Sequence, residues 1–240
     1  MVLLVAGGCT SLGETARAAE RMNVLFIISD DLRTELGAYG SRLAQTPNID
    51  KLASRGVQFD RAYCQYPLCN PSRSSMLTGR HPTTTGVLGN RQWFGATHPE
   101  FVSLPRYFKE HGYTTLRAGK IFHGGIDDTD AWSVGGQERF FGEGATAPVP
   151  RRDRDEPLSE VTGQPALTKE QRSDRWVVLE GEREKSGDHR VADRTIRYLK
   201  EHGDKPFFLG CGFSKPHSPL EAPRRFFDLF DVEAIPLPVK

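Results

Sequence analysis

NVLFIISDD, residues 23–31, is a short apolar run rich in β-branched residues that stops at two adjacent carboxylates. Apolar throughout rather than alternating, Asn23 to Ser29 has the pattern of a strand buried on both faces, as in a parallel sheet. Downstream, Thr46 as N-cap and Pro47 at the first helical position open a helix with Ile49 and Leu52 facing inward and Gly56 as its stop. Val57 to Phe59 is a short strand candidate. Pro71 to Thr78 forms a helix that begins just after Cys69 and ends at Gly79. Ser103 caps a helix through Leu104, Tyr107 and Phe108 that ends at Gly112, and Tyr113 to Ala118 follows as a strand. Asp188 to His202 is a helix with Val191, Ala192, Thr195, Ile196 and Leu199 on its buried side and Gly203 as its stop. Pro206 to Phe213 is a second buried strand. This order, without internal repeats, predicts an α/β fold: a mainly parallel sheet flanked by helices.

In such sheets ligands bind beyond the carboxyl ends of the strands. The polar residues of interest gather there: Asp30 and Asp31 after the first strand, Lys120 and His123 after the next, Lys215 and His217 after the last. The chain has 240 residues, enough for one sizeable core. Its 32 basic and 31 acidic residues leave a net charge of +1, so no global field draws it to nucleic acid, and affinity for an anion must come from a local site. No apolar run approaches the roughly 20 residues of a membrane span. Four cysteines, Cys9, Cys64, Cys69 and Cys211, show no C-x-x-C spacing and make neither a disulfide framework nor a structural zinc site.

Residues 1–22 stand apart as a leader. Met1 to Ala6 is apolar and Gly7-Gly8-Cys9 follows, which resembles the tail of an export signal with a lipoprotein-type cysteine; it lacks a basic start and its apolar stretch is short. An unfolded leader is the alternative. The first reading places the chain outside the cytoplasm, as a periplasmic, lipid-anchored or secreted protein; the second leaves the cytoplasm open. Residues 23–240 form the main domain, with a variable insertion at about 124–187. Within it, Gly124 to about Leu167 is rich in Gly, Pro and charge and reads as a long surface excursion facing a substrate.

Two carboxylates side by side at a strand end repel unless one is protonated or a cation lies between them; an all-oxygen site of this kind suits Ca²⁺ or Mg²⁺. Cys69 of the run Cys69-Asn70-Pro71-Ser72-Arg73 sits at a helix start, where free N–H groups and the helix dipole favour an anion and depress a thiol pKa. Arg73, about one turn on, can return to the same anion. Taken singly, each residue has a plainer reading: a solvated turn for the carboxylates, a surface lysine for Lys120, a loop histidine for His123, a rigid turn for His217 between two prolines.

CNPSR followed by SSMLTGR resembles the sulfatase signature, whose cysteine is oxidised to formylglycine. NVLFIISDDLR, TPNIDKLASRGVQFDRAY, LPRYFKEHGYTTLRAGKIFH and KPFFLGCGFSKPHSPLEAP resemble the same family in the same order, over residues 23–240 apart from 124–187. The DDLR, GKIFH and SKPHSP segments resemble the iduronate-2-sulfatase branch. The resemblance implies an alkaline-phosphatase-like fold and hydrolysis of a sulfate ester on a sulfated sugar, uronic acid or other small molecule. It implies Asp30, Asp31 and Cys69 as ligands of one Ca²⁺ (Mg²⁺ in some relatives) and Cys69, as formylglycine, as the nucleophile. Arg73 would hold the formylglycine hydrate, Lys120 and His123 would contact hydrate and sulfate, and His217 would touch the sulfate and protonate the leaving oxygen. A sulfatase-maturing enzyme is the implied partner.

The family's second pair of metal ligands, Asp followed by Asn or His, is expected after His217, and no such pair follows. Asp188-His189 is the one Asp-His in the chain, and it precedes the last strand. The expectation is a C-terminally incomplete copy. The alternatives are a phosphate or phosphonate monoester hydrolase of the same superfold, and an inactive remnant that binds sulfated sugar.

Overall fold

The computed structural model describes residues 21–141, 144, 145, 147, 176–181, 185 and 187–235. Its main sheet has three parallel strands, β1 (Val24–Asp30), β2 (Thr114–Gly119) and, after a short β3 (Trp176–Leu179), β4 (Phe207–Pro216); β4 lies between β1 and β2. Beside the sheet, β3 pairs in parallel with β5 (Leu220–Pro223). The helices are α1 (Pro47–Ala53), α2 (Cys69–Thr78), α3 (Pro82–Thr85), α4 (Phe94–Thr97), α5 (Leu104–Glu110), α6 (Asp188–His202) and α7 (Arg224–Phe227).

Strand β4 is the apolar axis. Its alternation sends Phe207 and Leu209 toward Tyr198 of α6 and Phe208 to the opposite face. There the Phe208 ring stacks on Phe108 at 4.7 Å between centroids and on Phe26 at 6.0 Å, with Trp132 at 6.3 Å. Phe208→Ala is expected to cost about 3–5 kcal/mol through lost burial and a cavity the neighbours cannot fill; the midpoint of a denaturant titration reads it.

The strands expected at Asn23, Tyr113 and Pro206 and the helices at Ser103 and Asp188 form. Ser103 Oγ accepts the Arg106 N–H at 3.3 Å, and Gly79, at φ 66°, ends α2 in the left-handed conformation. Several expectations need correction. Strand β1 is half-buried, with Leu25 and Ile27 exposed, because among the described residues it is an edge strand covered on one face. Ile49 and Leu52 of α1 are exposed, and the helix closes at Ser54 before Gly56 is reached. Thr46 precedes α1, but its hydroxyl accepts from Gly37 N–H and donates to Asp50 instead of capping. Val57 to Phe59 forms no strand and is exposed. On α6 Ile196 is exposed and Tyr198 is the buried ring.

The expected surface excursion begins inside the protein. Ile126, Ala131 and Trp132 are buried, and Asp127 accepts from the Trp132 indole at 3.0 Å and the Gln137 N–H at 2.7 Å. Polar composition hid this strap, because its carboxylates are buried with partners: Asp127 beside Arg117, Asp128 with Ser103 and Arg106. Residues 148–167 of that stretch, and residues 1–20 of the leader, lie outside the described residues.

A candidate active site at the carboxyl ends of the strands

Because β1, β4 and β2 run parallel, their carboxyl ends meet on one edge, and α2 begins beside it. A cleft of about 610 Å³ opens there, lined among others by Asp30, Asp31, Cys69, Arg73 and His217. Asp30, 4% exposed, is its floor. Arg73 Nη2 donates to Asp30 Oδ1 at 2.7 Å, and Lys120 Nζ donates to Oδ2. Arg73 Nη1 also donates to the Lys120 and Ile121 carbonyls, both at 2.8 Å, so the guanidinium ties α2 to the end of β2. Burial would raise the Asp30 pKa, but the hydrogen bonds from Lys120 and Arg73 outweigh it and hold the carboxyl below its usual range.

The two adjacent carboxylates do not share one environment. Asp31 takes φ 58°, a left-handed turn that swings it to the surface, where Oδ2 lies 3.9 Å from His217 Nε2. Cys69 is the first residue of α2, and Sγ lies 4.0 Å from Asp30 Oδ2. The expected depression of its thiol is corrected: burial first, and then the Asp30 carboxylate, push the Cys69 pKa up. Ligand atoms of Asp30, Cys69 and His217 lie within 4.8 Å of one another. His217 Nδ1 donates to the Ser218 carbonyl at 2.6 Å, which leaves Nε2 facing the cleft side.

His123 follows the end of β2, and its Nδ1 is buried with no hydrogen-bond partner among the described residues. Burial, then the charges of Lys120 and Arg73, lower its pKa to about 4, so the ring is neutral at pH 7. The folded pKa lies below the ordinary 6.5. The unfolded chain therefore binds the extra proton first, and stability falls as pH drops from about 6.5 toward 4. Because solvent reaches part of the ring, the expected loss is about 1–2 kcal/mol. Denaturant midpoints at pH 7.5 and 4.5 measure it, and His123→Asn should remove most of the difference.

Lys215 is turned from the cleft: Nζ donates to the carbonyls of His217 and Pro219 and pairs with Glu221. His81, His98, His111, His189 and His202 do not line the cleft either. Sequence reasoning passed over Asn70, wholly buried, whose amide donates to the Gly89 and Gln92 carbonyls and whose N–H bonds Asn90. Its place inside the CNPSR run was the signal. Cys64 and Tyr66, which line the cleft, carried none.

A family model for sulfatases matches residues 22–235. The chain belongs to the sulfatase family. It is 34% identical to mouse iduronate 2-sulfatase over 98% of its own length and 43% of the relative's, and 33% identical to a sulfatase of Formosa agariphila over 94% and 45%. The chain thus spans less than half the length of these curated relatives. Among solved structures, a phosphonate monoester hydrolase of Agrobacterium radiobacter superposes with a TM-score of 0.64 at 25% identity, over 90% of this chain and 45% of that one. A chain solved with its substrate D-glucosamine-2-N,6-O-disulfate superposes at 0.59 and 22% identity, over 91% and 39%. The fold of this sulfatase-family chain is the alkaline-phosphatase-like α/β sheet expected from the sequence. Among the described residues, no helix is long and apolar enough to cross a membrane.

Proposed function

We propose that the chain carries the catalytic face of a sulfuric ester hydrolase acting on a sulfated sugar or uronic acid, with the nucleophile made from Cys69. One observation carries the reading: Asp30 at the end of β1, Cys69 and Arg73 of α2, and His217 after β4 converge on one cleft from three separate segments, with Lys120 from a fourth bound to its floor. The identity with iduronate 2-sulfatases supports the substrate class.

The donors fit a divalent cation. Arg73 and Lys120 both pair with Asp30 and Asp31 adds a second negative charge beside them, so the cleft floor as it stands has no net positive charge for a sulfate monoester. Asp30, Asp31 and the oxygen that replaces the Cys69 sulfur would hold Ca²⁺ or Mg²⁺, leaving much of a six-to-eight-oxygen Ca²⁺ shell to other groups. When bound, the cation would neutralise charge on the sulfate oxygens. Formylglycine would supply, in its hydrated form, one hydroxyl to attack sulfur and a second whose deprotonation expels sulfate. Arg73, fixed by Asp30 and two carbonyls, would hold that hydrate without reorganising. Lys120 would neutralise charge on the transferring group. His217, with Nε2 on the cleft side, would hand a proton to the leaving alcohol oxygen. Neutral His123 would donate or accept a hydrogen bond without adding charge.

The phosphonate hydrolase neighbour favours a second reading, transfer at phosphorus. Initial rates on an aryl sulfate and the matching aryl phosphate separate the two: faster sulfate hydrolysis, lost on chelation of divalent cations, is expected. A preference for phosphate overturns the proposal. Peptide mass spectrometry across α2 reports conversion of Cys69 by a maturing enzyme. Met1 to Cys9 supports export.

A further inference from the structure

Asp188 opens α6, but the hydrogen bonds of its carboxylate go outside its own helix. Gly187 holds the N-cap position and makes no side-chain cap. The Asp188 carboxylate instead reaches the end of β4, accepting the Ser214 N–H at 2.8 and 3.1 Å and the Lys215 N–H at 2.9 Å. These amides are free of the ladder because of the sheet register. Strand β1 pairs with β4 residue for residue up to Ser29 opposite Phe213, and then Asp30 lies opposite Pro216. Ser214 and Lys215 therefore bulge out, and bulged N–H groups need acceptors from elsewhere. A carboxylate is the strongest acceptor a side chain offers to such donors.

The bulge is held from two further sides. The Ser29 hydroxyl donates to the Lys215 carbonyl at 2.5 Å, and the His217 N–H closes a turn onto the Ser214 carbonyl at 3.1 Å. His217 follows directly, its ring lining the cleft with Nε2 toward Asp31. We infer that Asp188 is a positioning residue for the reaction: acting through the Ser214–Lys215 bulge, it sets where the His217 imidazole stands over the cleft. Asp188 thus contributes at a distance, through one carboxylate and two backbone amides.

The inference rests on the reading of His217 as a group that meets substrate, so its test has one arm that needs no turnover. In carbon–proton NMR spectra, the His217 ring signal is expected to move in Asp188→Asn and Asp188→Ala, while the His111 ring and the Phe208 and Leu209 amides stay in place. Asp188→Glu, which restores the acceptor, should return the signal toward its parent position. An unmoved His217 signal overturns the inference whether or not the chain hydrolyses anything. In the second arm, Asp188→Asn should lower kcat on an aryl sulfate by about 10²-fold with KM within about twofold. Asp188→Asn combined with His217→Ala should be no slower than His217→Ala alone, the signature of one residue acting through the other. Losses that multiply overturn it. A ring signal that moves in the variants, together with no sulfate-ester turnover in the parent, supports the positioning and sinks the proposed function instead.

Discussion

Cys69→Ala is expected to lower hydrolysis of an aryl sulfate by about 10⁴-fold or more while the fold persists. Alanine keeps the Cβ and suits the first turn of α2, and among the described residues the thiol's hydrogen-bond contact is the long one of 4.0 Å to Asp30. Stability should therefore stay within about 1 kcal/mol of the parent, as a thermal or denaturant midpoint would show. Cys69→Ser is the sharper companion. A serine hydroxyl can attack sulfur once, but it has no second hydroxyl on the same carbon to expel the sulfate. Steady-state turnover should vanish in both variants, with sulfate retained on the α2 peptide only in the serine form. Parent-like turnover in the alanine variant would remove Cys69 from the mechanism.

Gly212→Ala is expected to unseat the floor of the cleft without touching any residue that lines it. A Cβ on Gly212 would lie 2.0 Å from the Lys120 carbonyl oxygen and 2.3 Å from its carbon. Both are backbone atoms, so no side chain can turn away to make room. That same carbonyl accepts Arg73 Nη1, and the Lys120 N–H donates to the Gly212 carbonyl at 2.8 Å. The strand must shift, and Lys120 and Arg73 move with it from Asp30. The expected cost is roughly 3–5 kcal/mol, since overpacking and a broken buried ion pair act together. A large drop in the denaturation midpoint, with turnover lost even where the chain remains folded, checks it. Gly119 faces the mirror problem at φ 74°, with its own Cβ 2.0 Å from the Gly212 carbonyl.

Much of this arrangement was legible in the sequence, for identifiable reasons. Strands β2 and β4, the α2 and α5 helices and all of α6 carry strong local signals, apolar runs or periodic faces closed by glycine. Asp30 and Lys120 were recoverable because parallel strands force their carboxyl ends together, and Arg73 because it follows Cys69 by about one helical turn. What escaped were effects of tertiary context. The exposure of Leu25 and Ile27 depends on which strands flank β1, and no periodicity within β1 encodes that. The burial of Asp127 and Asp128 depends on arginines ten or more residues away. Asp188 was read as a failed metal ligand because its partners, the amides of a bulge, leave no trace in the sequence. The Cys69 thiol was misjudged in direction, since a helix start favours the anion but the nearby Asp30 opposes it.

The central place of β4 also orders events in time. Among the described residues β1 and β2 do not pair with each other; in the three-stranded sheet each is joined through β4, which follows β1 by more than 170 residues in the chain. Before β4 docks, neither has its parallel partner, and closing so large a loop is slow relative to forming α2 or α5 locally. During synthesis from the amino terminus, Asp30, Cys69 and Lys120 therefore emerge well before the strand that aligns them. The charged floor is assembled late and all at once, so refolding should recover helical signal first and the Asp30–Arg73–Lys120 geometry together with the last strand.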